Sequence, residues 1–141
     1  MNIKRLLPAI LIGFVFIFVT DFLIHGLWLR GDYAASRTLW RGEKEMVDHL
    51  SWMMTGQFLA AATFVILWAI GCAESGGLRM ACAYGLLMGL FGQVYTLIMY
   101  SVMPLPFELA TKWFISGLAQ GVLLGVLTSF TYRPVARPAV E

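Results

Sequence analysis

Four stretches of this chain, Leu6 to Leu29, Leu50 to Cys72, Leu78 to Met103 and Leu109 to Tyr132, are almost continuously apolar. A hydrocarbon slab about 30 Å thick takes about 20 apolar residues of helix to cross, and each stretch reaches that length. The chain of 141 residues is 60% hydrophobic and 13% charged, with a mean hydropathy of +0.77. A soluble core of that composition could not be covered by its own polar side chains. A lone span must satisfy its backbone internally, and no stretch alternates as a barrel strand does, so the spans read as helices. The expected fold is all-α: one domain over residues 1–141, an antiparallel bundle of four transmembrane helices with an outer loop over 30–49.

The formal net charge of +2 is spread over the loops without a Lys/Arg block, which argues against nucleic acid as a partner. Cys72 and Cys82 flank the short second loop at a spacing that matches neither a metal knuckle nor a disulfide framework, and they read as small packing residues. The chain carries no P-loop and no G-x-S-x-G, H-E-x-x-H or C-x-x-C motif, so it is not read as an enzyme and no cofactor is implied.

Met1 to Arg5 followed by an apolar run resembles a signal peptide, but the run is too long and lacks a small-x-small cleavage site, so it reads as an uncleaved anchor. Four spans put both termini on one side. Lys4, Arg5, Arg79, Arg133 and Arg137 stand there against Glu74 and Glu141, a net of +3, whereas the other side is balanced. Lys4 and Arg5 abut the first span and place both termini in the cytoplasm. The loop over 30–49 then faces outward, and its mixed charges with Tyr33, Leu39, Trp40, Met46 and Val47 suit a short interfacial helix. Trp28, Trp40, Trp52 and Trp113 fall at the same outer level, as in an aromatic belt.

In lipid, helices associate by close approach at small residues rather than by the hydrophobic effect. Gly117, Gly121 and Gly125 form a doubled G-x-x-x-G on the fourth helix, and Ala81, Gly85 and Gly89 repeat the spacing on the third. These faces are expected to pack on each other, or else one of them to build a homo-oligomer. Pro104 and Pro106 fit a tight turn between the two helices.

Each span also carries one amide or carboxyl group at similar depth: Asp21, Gln57, Gln93 and Gln120. An interhelical hydrogen-bond layer is the plain expectation, each bond contributing about 0.6–2 kcal/mol. Asp21 asks for more, because an acid at the centre of a span costs about 2.5–3.5 kcal/mol to insert. The sixteen Leu, Ile, Phe and Val residues of the first span offset that cost without explaining the acid. His25 lies one turn on, on the same face, so a proton-handling pair positioned with Gln57 is the sharper reading. His25 and His49 are weak metal or haem candidates, the two histidines of the chain coming from helix ends at different depths.

The pattern Asp21-x-x-x-His25-Gly26, then Tyr33, Leu39-Trp40-Arg41, Glu45-Met46 and Pro104-Leu105-Pro106 resembles a group of small, uncharacterised four-helix membrane proteins of bacteria. The resemblance implies a bacterial inner-membrane location and, since the group has no assigned activity, no functional residues. Two functions stay open: a structural or accessory subunit, as a homo-oligomer or in a larger membrane complex, and a small proton-coupled or ion-conducting transporter using Asp21.

Overall fold

A computed structural model describes residues 2–74 and 77–132. Arg133, Arg137 and Glu141, which enter the charge comparison above, lie outside the described residues. All regular structure among those described is helical, and four helical stretches are long and apolar enough to cross a membrane. Helix α1 spans Ile3–Asp21 and runs directly into a π-helical segment, Phe22–Trp28. Two short helices follow, α2 (Arg30–Ala35) and α3 (Glu43–Asp48), with a 3-10 turn at Arg37–Leu39 between them. The remaining long helices are α4 (Leu50–Gly71), α5 (Leu78–Val102) and α6 (Phe107–Thr131).

The helix boundaries have local causes. Asn2 caps α1 by accepting the Lys4 amide at 3.1 Å, so the helix begins before the apolar run does. Pro106, with φ −58°, stands immediately before α6, where its missing N–H leaves no bond unmade. The loop expected to hold one interfacial helix holds three helical pieces, because Ser36 ends α2 by bonding back to the Asp32 carbonyl at 2.8 Å.

Close backbone contacts join α5 to α6, α6 to α1, and α1 to α4. The tightest is the α5–α6 seam, in which residue numbers rise on one helix as they fall on the other. A Cβ built on Gly85 would lie 2.3 Å from the Gly121 carbonyl oxygen, one on Gly121 2.6 Å from the Gly85 oxygen, and one on Gly125 2.4 Å from the Ala81 oxygen. Only glycine lets two backbones meet at that distance. At Gly89 the neighbours are the Gly117 carbonyl and Leu118, at 3.2 and 3.3 Å. Gly117 differs, because the side chain of Gln93 lies across it.

Three apolar clusters stack along the bundle. At the terminal end, Leu6, Ala9, Ile10, Val65, Trp68, Ala73, Ala81 and Tyr132 are buried together, and the Asn2 amide donates to the Tyr132 hydroxyl at 3.1 Å. Ile17, Ala61, Phe64 and Leu124 form the middle cluster. Leu29, Leu105, Leu109 and Ala110 form the one at the loop end. Tyr84 of α5 reaches α4 across the terminal half, donating its hydroxyl to the Phe64 carbonyl and stacking edge-on against Phe64 and Trp68.

The seam makes a direct prediction. Gly85→Ala sets a methyl group against backbone atoms that cannot yield, so it should cost about 1–3 kcal/mol. Gly92→Ala meets nothing within 4 Å and should stay within about 0.5 kcal/mol of the parent. Denaturation of the two purified variants in one detergent compares them, and equal losses would contradict a backbone-to-backbone seam.

Candidate functional site

Two neighbouring groups of polar side chains occupy the loop half of the bundle. The deeper one is centred on Asp21, the last residue of α1, a half-buried position between α4 and α6. Its Oδ2 accepts from Gln57 Nε2 of α4 and its Oδ1 from Gln120 Nε2 of α6, each at 2.7 Å. Gln120 Nε2 also donates to Thr20 Oγ1 at 2.6 Å, and Thr20 in turn donates to the carbonyl of Phe16. One carboxylate thereby bonds to two other helices. No Lys or Arg bonds to it among the described residues, so its charge is met by neutral amides.

Gln93 does not join this layer. Its Oε1 accepts from Thr96 on its own helix at 2.7 Å, and its side chain covers Gly117 in the seam. The reason is helix order: α5 packs chiefly along α6, whereas the helices packed most closely on α1 are α4 and α6, so the amide of Gln93 meets the α6 backbone rather than Asp21. The expected layer of four amide or carboxyl groups is therefore one of three, with Thr20 as the fourth member.

The shallower group surrounds Tyr33 of α2. The Tyr33 hydroxyl lies 2.6 Å from His25 Nδ1 and accepts from Trp113 Nε1 at 2.8 Å. Indole can only donate, so Tyr33 accepts there, and its hydroxyl keeps both a hydrogen and a second lone pair for His25 Nδ1, the tautomer of the imidazole setting which is used. The expected His25–Asp21 bond is absent among the described residues, because His25 turns toward Tyr33 instead. That turn occurs within the π-helical segment, whose i→i+5 bonding, as in Leu29 N to Ile24 O at 2.8 Å, resets the side-chain directions after Asp21.

Trp40 completes the cluster. Its ring centroid lies 5.3 Å from that of Tyr33 and 5.8 Å from that of Trp113, and its Nε1 donates to Ser36 Oγ. Rings this close pack against one another and leave no cage between them for a cation. Trp28 and Trp52, 56% and 75% exposed, face outward as belt residues would, whereas Trp40 and Trp113 turn inward. Lys112 of α6 donates to Asp32 Oδ1 at 2.7 Å and pins α2 over the cluster. Tyr33, Trp40, Trp113, Thr20 and the Lys112–Asp32 pair were not legible as site residues, since their partners lie up to about a hundred positions away.

His49 does not approach His25; its Nδ1 is bonded to the Glu45 carbonyl at 2.8 Å. No group of three or more His, Cys, Asp or Glu side chains that could hold a metal occurs among the described residues. Cys72 and Cys82 are both half-buried. Set against known protein families, curated proteins and solved structures, the chain matches none.

Tyr33 is the point at which the shallower group can be tested. Burial, then the nearby Asp32 and Asp21 charges, outweigh the Trp113 bond and push its hydroxyl up from 10.0 to about 12. The folded state therefore holds this proton more tightly than the unfolded chain. The resulting stabilisation is complete below pH 10 and is lost as pH rises from 10 through about 12. Tyr33→Phe should abolish that part of the alkaline stability loss. It should also cost about 1–3 kcal/mol near neutrality by stranding Trp113 Nε1. Unfolding midpoints measured across alkaline pH for both proteins check the two expectations together.

Proposed function

We propose that this chain is an integral membrane protein, inserted as an antiparallel four-helix bundle in a bacterial inner membrane with both termini in the cytoplasm. In this reading it is a structural or accessory subunit that acts through helix packing with lipid and with membrane-embedded partners, its own copies included, and is not an enzyme. The observation that supports it is where the polar groups of the long helices go: Gln57 and Gln120 bond to Asp21 and hold α4 and α6 to α1, and Gln93 packs across Gly117 in the glycine seam. Four helices of sufficient length and hydropathy supply the membrane setting. Purification of the tagged protein in mild detergent should then recover a defined oligomer or companion. A lone monomer under those conditions counts against the accessory role.

A second reading is favoured by one specific feature, the meeting of a carboxylate within a span with neutral partners alone. A purely structural bond at that depth could be made by asparagine without the cost of an ionisable group. In this alternative the protein handles protons as a small transport protein, with Asp21 taking and releasing the proton and His25 and Gln57 positioned around it. Haem or metal ligation gains nothing from the arrangement, because His25 and His49 are engaged in different places. The measurement is proton flux into vesicles containing the reconstituted protein. Asp21→Asn should abolish it while insertion and abundance stay at parental levels. An Asn variant that keeps full flux, or that fails to accumulate, removes the proton role and leaves the packing role.

A further inference from the structure

The two amides that hold Asp21 are alike in distance, but hydrogen-bond accounting separates them. Gln120 is locked. One Nε2 hydrogen goes to Asp21 Oδ1 and the other to Thr20 Oγ1, whose own hydrogen is directed at the Phe16 and Ile17 carbonyls. Thr20 can therefore only accept from Gln120, and turning that amide over would set oxygen against oxygen at both contacts.

Gln57 has no such lock. Its Nε2 donates to Asp21 Oδ2, while its Oε1 is buried without a donor among the described residues, in a side chain only 9% exposed. A half turn of this amide would bring Oε1 against Asp21 Oδ2. That contact is repulsive for the carboxylate and favourable once Oδ2 carries a proton. Either orientation leaves one buried polar atom of Gln57 without a partner on its far side, at comparable cost, so the far side does not choose between them. The protonation state of Asp21 does.

We infer that Asp21 is a proton-binding site that takes its proton on Oδ2, with Gln57 as the positioning residue that turns its amide to accept that O–H while Gln120 holds Oδ1 in both states. This rests on the second reading above. Hydronium gives up a proton and leaves as water, the O–H bond forms at Oδ2, the hydrogen bond from Gln57 N–H to Oδ2 breaks, one from the new O–H to Gln57 Oε1 replaces it, and the charge on the carboxyl group goes from −1 to zero. No electrons move. The titratable groups near enough to sense Asp21 are His25 and Tyr33, both on its loop side. Helix α4 carries no titratable side chain, and at the loop end of α6 Lys112 is occupied by Asp32 while Glu108 makes no bond to Asp21 among the described residues.

Infrared difference spectra of the full chain in lipid bilayers, between alkaline and acidic buffer, test the assignment. A protonated-carboxyl band should appear on acidification and be lost in Asp21→Asn. Its C=O stretch should move up in Gln120→Leu, where Oδ1 loses its donor, and stay in place in Gln57→Leu. The reverse pattern overturns the placement of the proton on Oδ2 while leaving proton binding at Asp21 intact. Absence of any Asp21-dependent band overturns this inference and the proton reading together. If Gln120→Leu fails to accumulate, side-chain 15N signals of the unsubstituted protein decide: the Gln57 amide should shift on acidification and that of Gln120 should hold, and equal movement overturns the assignment.

Discussion

The carboxylate of Asp21 is the point on which the arrangement of α1, α4 and α6 depends. Apolar packing along these helices is nearly featureless, because one branched aliphatic surface suits another about as well as it suits lipid. Two short bonds from one side chain to two helices fix rotation and depth at once, which aliphatic contact does not. In a low-dielectric setting such bonds are individually modest, on the order of 1 kcal/mol. Their value lies in specifying one arrangement among many of similar packing energy.

A different device joins α6 to α5. Backbone meets backbone along Gly85, Gly121 and Gly125, and the geometry there follows from the absence of side chains. The protein therefore uses two mechanisms on adjacent faces of α6: a polar clasp toward α1 and a glycine seam toward α5. Gln93 shows how they divide the labour. It sits at a depth suited to the clasp but belongs to the seam side, so its amide covers Gly117 and bonds to Thr96.

The helices and the glycine seam were legible in the sequence because both depend on local period: runs of apolar residues and small residues spaced by four. Asp21, Gln57 and Gln120 could be picked out as polar exceptions in apolar runs. The identity of their partners could not, since depth alone does not say which helices are neighbours: Gln93 has the depth of the layer, but its helix carries it into the glycine seam. The Tyr33 cluster was hidden for another reason. Tyr33 and Trp40 belong to a polar segment whose composition reads as surface, and their inward turn depends on Trp113 and Lys112, about eighty residues away from Tyr33 and Asp32. The π-helical segment likewise has no period of its own that a run of apolar residues would reveal.

The central position of α1 bears on the order in which the bundle is built. Its acid precedes its donors by 36 and 99 residues. On a ribosome, α1 is complete long before Gln57 exists, and Gln120 arrives with the last helix. A nascent chain inserting in sequence would hold an acid with no donor until α4 is made and with a single one until α6 follows, tolerated by the strongly apolar stretch around it. The α5–α6 hairpin, by contrast, can close on itself as soon as it emerges. The bundle would then be completed by a preformed hairpin docking onto α1, so the contact made last is the one between the first and the fourth of its long helices.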